Sequence, residues 1–332
     1  MMSDRRDERA AAHLAVLTNA EMYRADAAAA ESGIPGETLM ANAGRACAEA
    51  IRARRTPRPT LVLCGPGNNG GDGYVIARLL AERGWPVEVA ALVPPEKLKG
   101  DAAVHAVRWQ GRTIALDQAD LGGAGLVVDA LFGAGLTRDL DGVARAAIEG
   151  IAMRGIDCVA VDVPSGVDGD TGLVRGAAAW AFLTVTFFRP KPAHLLYPGR
   201  GLCGEVVTAD IGIPEAVLDG IGPRQWRNEP DLWLGDFPWP AAESHKYVRG
   251  HGLVLGGTEM TGAARLAARA AMRAGAGLVT IACPPDAWPV YAAETAGILT
   301  ARIAAPADFA AGRAASRCAL STSPMFIRVS TK

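Results

Sequence analysis

Apolar and polar positions along this chain follow two periods, and the period changes near Thr60. Thr18-Asn19-Ala20-Glu21 fits a capping box, with Thr18 as N-cap and Glu21 reaching back to it, so a helix is predicted to start there. Alanine-rich sequence carries it to the turn signal Gly33-Ile34-Pro35-Gly36, and residues 38–54 read as a second amphipathic helix. From Thr60, short β-rich runs alternate with helical stretches: strand 60–64, helix 74–84, strand 87–92, helix 102–109 and strand 126–131. Helix 143–154, strand 158–163, strand 183–188 and a last strand over 204–210 continue the series. That order is the signature of βαβ units and predicts an α/β fold, a mostly parallel sheet covered on both faces.

Pro214, Pro223, Pro230, Pro238 and Pro240 lie with Trp226, Trp233 and Trp239 in a stretch without a clean period, which predicts an interdomain linker over 214–243. A new start follows: strand 251–257 ending in Gly-Gly, helix 262–274 and strand 277–283, one fresh βαβ unit. The sequence from Arg317 to Lys332 has neither helical nor strand period, and one βαβ unit cannot bury both faces of a parallel sheet. The expected organisation is a frayed tail over 1–17, a first domain over 18–213, the linker, and a truncated second domain over 244–332. A small accessory fold of its own is the other reading of that last part.

Composition narrows the classes without choosing among them. Half of the 332 residues are hydrophobic and 21% are charged, enough to bury a core and keep a polar surface. A net charge of −1 creates no field that would gather nucleic acid or anionic lipid. Apolar runs such as 60–64 and 125–131 are cut far short of the ~18 residues of a membrane span, so no membrane is expected among the partners. The charged N-terminus shows no secretory signal, and the expected location is the cytoplasm. Cys47, Cys64, Cys158, Cys203, Cys283 and Cys318 lack C-x-x-C spacing, which argues against zinc, a redox pair or a disulfide framework.

The candidate chemistry sits in three loops. Gly65-Pro66-Gly67-Asn68-Asn69-Gly70-Gly71-Asp72-Gly73 follows a strand and precedes a helix, where glycines admit a ligand close to the backbone and free N–H groups favour a phosphate. Gly65 to Gly70 also matches G-x-G-x-x-G, which would suggest a dinucleotide-dependent dehydrogenase. The acid that should bind ribose about 20 residues on is missing, because Glu88 falls in mid-strand. The other two loops, Val128 to Asp139 and Val161 to Gly172, lie at the C-terminal ends of strands, the edge where open α/β sheets bind ligands. Asp129 and Asp162 each follow an apolar strand, where a carboxylate needs a partner, a metal or a turn to cap. Arg138 either serves a ligand phosphate or pairs with Asp139 or Asp141.

Taken together, GNNGGDG, VDALFGAGL and DVPSGVDGDTG closely resemble the NAD(P)H-hydrate epimerase family, the YjeF N-terminal domain, from about Thr18 to Ile213. The segment Leu39-Met40-Ala41-Asn42-Ala43-Gly44 and the run from Thr186 to Lys191 share in the resemblance. It implies a Rossmann-like three-layer αβα sandwich, a homodimer, and hydrated NADH or NADPH (NADHX, NADPHX) as substrate. By motif, substrate contacts are implied at Asn68, Asn69, Gly70, Gly71 and Asp72, at Gly133, Ala134, Gly135, Leu136, Thr137, Arg138 and Asp139, and at Asp162. A potassium ion is implied on Asn69, Asp129 and Ser165, a set of hard oxygens.

Water added to such a cofactor leaves a hydroxyl on C6 in R or S configuration, and epimerisation removes and restores it through an iminium-like carbon. Asp162 is the expected acid and base, a role that needs a raised pKa, with Lys191 as a second candidate that orients water or phosphate or is merely a solvated loop lysine. His245-Lys246-Tyr247, Gly256-Gly257-Thr258 and Thr261 to Leu266 resemble the opening of the ribokinase-like, ADP-dependent NAD(P)H-hydrate dehydratase. In that family the nucleotide loop and catalytic aspartate, a G-T-G-D type motif, come much later, and none follows Cys283. ADP or ATP would serve only a complete dehydratase, so epimerisation without dehydration is expected. A bifunctional enzyme, a dehydrogenase and a non-catalytic dimerising module are the alternatives.

Overall fold

Thr18 caps the first helix as the sequence predicts: its N–H donates to Glu21 Oε2 at 2.8 Å, and the Glu21 N–H returns to Thr18 Oγ1 at 3.3 Å. In the computed structural model, which describes residues 12–293, 296–303 and 325–327, the chain divides into two units, 1–235 and 236–332. Residues 1–11 of the expected tail, Cys318 and most of 317–332 lie outside the described residues.

The first unit runs β1 (Ala15–Val16), α1 (Asn19–Glu31), α2 (Gly36–Arg54), β2 (Thr60–Cys64), α3 (Asn68–Ala81), β3 (Val87–Ala91), α4 (Gly100–Arg108), β4 (Thr113–Ala115) and β5 (Leu126–Ala130). It continues through α5 (Gly142–Arg154), β6 (Cys158–Val161), β7 (Leu183–Phe187), β8 (Glu205–Ala209), α6 (Val217–Ile221) and β9 (Gln225–Trp226). Strands β4-β3-β2-β5-β6-β7-β8 form one sheet, parallel throughout. The chain builds outward from β2 to β4, then returns to start again at β5 on the other side of β2. That reversal makes β2 and β5 the switch point, the place where an open parallel sheet leaves a crevice at its carboxyl edge.

Burial on both faces explains the unbroken apolar strands. Val62 and Cys64 of β2 join Val128 and Val159 under α2 and α3, while Leu61 and Leu63 join Val127 and Ala160 under Ile148 and Ile151 of α5. The expected three-layer α/β sandwich is present.

Three boundaries differ from the sequence reading. Helix α3 begins at Asn68, inside the glycine loop, and not at 74; Gly73 lets it lie against the sheet, since a Cβ there would meet Cys64 Sγ at 2.8 Å and Ala130 Cβ at 2.9 Å. Ala12 to Leu17 is no frayed tail: Leu14 and Leu17 are fully buried, and β1 pairs antiparallel with β9. That pairing, with Leu218 and Ile221 buried in the same core, places the first half of the expected linker in the first unit, which ends at Gly235 and not at Ile213.

In the second unit, β10 (His251–Leu255), α7 (Thr261–Arg273) and β11 (Leu278–Cys283) form the expected βαβ element around Val254, Ala268 and Ile281. The single-unit expectation was too small. Helix α8 (Trp288–Ala292) and the parallel strands β12 (Leu299–Arg302) and β13 (Met325–Ile327) extend the sheet to the order β12-β11-β10-β13. Strand β13 lies within 317–332, where the pattern had no strand period. No helix among the described residues is long and apolar enough to cross a membrane.

Candidate active site

The three motif loops meet at the switch point. A cavity of about 610 Å³ opens there, lined by Asn68, Asn69 and Asp72, by Gly133 to Arg138, and by Asp162 and Lys191. That volume falls in the range of about 300–1,000 Å³ usual for small-ligand sites. Gly70, Gly71 and Asp139 do not line it, contrary to expectation. Gly70 and Gly71 are buried in the first turn of α3, where a Cβ on Gly71 would strike Met40 Sδ at 2.5 Å, and Asp139 faces solvent. The two glycines serve close packing of the helix.

Asp162 stands at the centre. Its Oδ1 accepts from Lys191 Nζ at 2.7 Å and Thr186 Oγ1 at 2.9 Å, and its Oδ2 accepts from the Ala134 N–H at 2.9 Å. Gly133 permits this, because a Cβ there would sit 2.9 Å from Asp162 Oδ2 and 3.2 Å from Asn69 Oδ1. Burial pushes the Asp162 pKa up, but the charge and hydrogen bond of Lys191 outweigh it and hold the group at about 2. The raised pKa expected for this residue is therefore wrong: it is an ionised carboxylate. Lys191 is no solvated loop lysine either. Only 2% exposed, its ammonium donates to Asp162, to Thr186 Oγ1 at 2.9 Å and to Phe187 O at 3.4 Å. Those bonds spend its protons on Asp162 and the β7 end, leaving it a poor device for orienting water.

Asp129 is completely buried behind this group. Ser165 donates to it twice, from Oγ at 2.6 Å and from N–H at 2.8 Å, and the Leu131 N–H adds a bond at 3.3 Å. Ser165 Oγ also accepts from the Phe132 N–H at 2.9 Å, which ties the second and third loops together. Burial still leaves the Asp129 pKa raised, and among the described residues no cationic side chain pairs with it. Asn69 joins the first loop to the ends of the other two: with its amide turned to satisfy both ends, it donates to Val161 O at 3.1 Å and accepts from the Gly133 N–H at 3.3 Å. Asp129 and the Ser165 hydroxyl set two hard oxygens 2.6 Å apart in a buried corner, the donor chemistry that suits a hard cation.

Sequence reasoning missed the wall made by α1. Asn19, Met22, Tyr23 and Asp26 line the cavity from one helical face, and Asn19 Nδ2 pins that face to Ala134 O at 2.7 Å. Their i, i+3, i+4, i+7 spacing was the available signal. Burial lifts Asp26 to about 6, with Lys191 lowering it and Asp162 raising it. Asp72 is lifted well above the carboxylate range by burial, with Asp162 and Asp26 adding to it. The later acids of the third motif shape the loop and fasten it. Asp168 accepts from the Asp170 and Thr171 N–H groups and from Arg175, folding the loop, and Asp170 accepts from the Asn19 N–H at 2.7 Å. Arg138 lines the cavity, and among the described residues no ion pair joins it to Asp139 or Asp141. Glu88 is ion-paired with Arg112 at 3.0 Å, so β3 presents no ribose-binding acid of the dehydrogenase kind.

A parallel sheet with its crevice at the switch point and paired carboxylates on the crevice walls defines a ligand-binding domain of the open α/β class. Residues 36–193 match the protein-family model described as YjeF-related protein N-terminus, and residues 252–317 match that described as NAD(P)H-hydrate dehydratase. The first unit belongs to the YjeF-related N-terminal family, and it is joined to a segment of dehydratase type. The chain is 39% identical over 306 residues to the bifunctional NAD(P)H-hydrate repair enzyme Nnr of Moorella thermoacetica, covering 86% of this chain and 57% of that protein. It is 36% identical over 298 residues to the enzyme of the same description from Coxiella burnetii, covering 87% and 60%. The chain thus spans less than two thirds of the length of these relatives. The crystal structure of yeast ynu0 superposes with a TM-score of 0.53 at 23% identity, covering 66% of this chain and 98% of that one, a likeness of fold.

Proposed function

We propose that the first unit interconverts the R and S forms of NADHX and NADPHX at C6, and that the ionised Asp162, held in the crevice by Lys191, is the observation that carries this reading. Breaking the C6–OH bond requires a proton on the departing oxygen, and the ring nitrogen lone pair then forms the C6=N1 iminium. Asp162 cannot bring that proton. It supplies the negative charge that stabilises the cationic ring, and it takes the proton of the water that adds to the other face. Asp26, on a different wall and lifted to about 6, is the acid that protonates the leaving hydroxyl. One proton leaves Asp26 and one arrives at Asp162, and exchange with water returns Asp162 to its ionised form and reloads Asp26 for the next turnover. Arg138, which lines the cavity and is without an ion pair among the described residues, serves the substrate phosphates.

The potassium ion belongs to the same proposal. Asn69, Asp129 and Ser165 would hold it, and its charge would offset Asp129 where only hydrogen bonds now do so. The second unit, which matches the dehydratase model over residues 252–317, is left without an assigned activity. The homodimer implied by the resemblance is retained in this proposal.

The test supplies pure R epimer of NADPHX and follows its conversion to S by chromatography. Wild-type kcat/KM should fall as pH rises through about 6, the Asp26 value, and Asp26→Asn should remove that limb. Asp162→Asn should slow conversion at least ~100-fold, the usual scale of a lost acid or base. An undiminished rate in Asp162→Asn discards the mechanism, and no conversion by the wild type discards the function.

A further inference from the structure

His194 is a buried titratable group that this mechanism leaves unused. Its Nδ1 lies 2.9 Å from the Lys191 backbone nitrogen and its Nε2 lies 2.8 Å from the Asp162 carbonyl oxygen. A backbone N–H only donates and a carbonyl only accepts, so Nδ1 is bare and Nε2 carries the hydrogen. Burial, and then the charge of Lys191, lower the His194 pKa and keep the ring in this neutral form.

The residue it grips needs holding. Asp162 has φ 68, in the left-handed region, with its N–H donating to Val185 O at 2.8 Å and the next N–H, of Val163, closing a tight turn onto Val161 O at 2.9 Å. Such a conformation is strained for a non-glycine residue and persists only where its surroundings enforce it. The neighbouring strand solves the same problem in the same way. Phe188, after β7, has φ 59, its N–H donates to Ala209 O at 2.9 Å, and its carbonyl accepts from Arg189 Nη1 at 2.8 Å. At both strand ends a side chain captures the carbonyl of the left-handed residue. Only at Asp162 does the captured residue carry a carboxylate of the crevice.

We propose that His194 is a positioning residue: by capturing the Asp162 carbonyl it holds that left-handed turn, and with it the carboxylate, at the floor of the crevice. The span from Lys191 to His194 therefore grips Asp162 twice, the ammonium on the carboxylate and the imidazole on the backbone. Its catalytic consequence rests on Asp162 being the working carboxylate of the proposed epimerisation.

Two substitutions in the full chain separate this role from simple support of the loop. An asparagine oxygen overlies Nδ1, so His194→Asn keeps the bond from the Lys191 N–H and loses the one to Asp162. A glutamine nitrogen reaches the Nε2 position, so His194→Gln keeps the bond to Asp162. His194→Asn should lower kcat at least ~10-fold with KM within about twofold, as expected when a reacting group is misplaced by a fraction of an ångström, and His194→Gln should recover most of it. A second readout needs no activity: the Ala134 amide, which donates to Asp162 Oδ2, should exchange its hydrogen about tenfold faster in His194→Asn than in His194→Gln. Equal kcat and equal Ala134 exchange in the two variants would overturn the proposal. A wild type without epimerase activity would instead sink the functional reading and leave the exchange comparison to decide on His194.

Discussion

Asp162 and Lys191 show what a single residue pair can and cannot reveal before it is folded. Their candidacy was visible in the motifs, but their contact spans 29 residues and is made across the ends of β6 and β7, so neither the pairing nor the resulting pKa could be read from spacing. The pair is buried enough for its breakage to be costly. Lys191→Met should destabilise the protein by about 3–5 kcal/mol in urea unfolding at neutral pH, because Asp162 is left as a buried charge without its cation. The pH dependence has a definite sign. With a folded pKa of about 2 against 3.8 unfolded, Asp162 contributes stability that is complete above about pH 4 and is lost as pH falls towards 2. In Lys191→Met this acid loss should disappear, and a variant that keeps the wild-type profile would show that Lys191 is not what lowers the pKa. His194 left no such trace in the sequence, since its two hydrogen bonds go to backbone atoms, which no motif records.

Elements were legible where periodicity and burial agreed, and misread where glycine carried two meanings. Strands β2, β5, β6 and β7 were found within one or two residues of their ends because both faces are covered and the apolar runs are continuous. Helix α3 was started too late: Gly67 caps it without a side chain, and glycines at 70, 71 and 73 read as loop. Tertiary packing overrides that low propensity, because those glycines allow the helix to approach α2 and the sheet. Gly73→Ala puts two effects in opposition. Alanine favours a helix interior by about 1 kcal/mol, while a Cβ pressed between Cys64 and Ala130 costs about 1–3 kcal/mol where neither strand can retreat. The clash should win, with a lower urea midpoint at unchanged m-value; a stabilised variant would mean that the helix–sheet contact has slack. Strand β4 escaped notice for the opposite reason, being three residues at the sheet edge with too little length to show a period.

At the scale of the molecule, the sheet order and the switch-point crevice followed from the βαβ series, but the limit of the first unit did not. Proline and tryptophan between 214 and 240 suggested a linker, whereas Leu218, Ile221 and Trp226 pack on the main core and β9 closes on β1. Long-range pairing of two-residue strands gives no periodic signal, and the unit's two ends are recognisable only together. Every residue that lines the crevice and every group that holds Asp162 falls within 1–235. A fragment of residues 1–235 should therefore unfold in one cooperative transition and keep epimerase activity close to that of the full chain. A fragment ending at 213, the boundary read from sequence, removes α6 and β9, strips Leu218 and Ile221 from the main core, leaves Ala15 and Val16 unpaired, and should lose several kcal/mol, at about 1.5–3 kcal/mol for each large buried apolar side chain lost from the core. Thermal unfolding of the two fragments side by side settles the boundary: equal midpoints would mean that the β1–β9 clasp adds nothing to the unit and that residues 214–235 are linker after all.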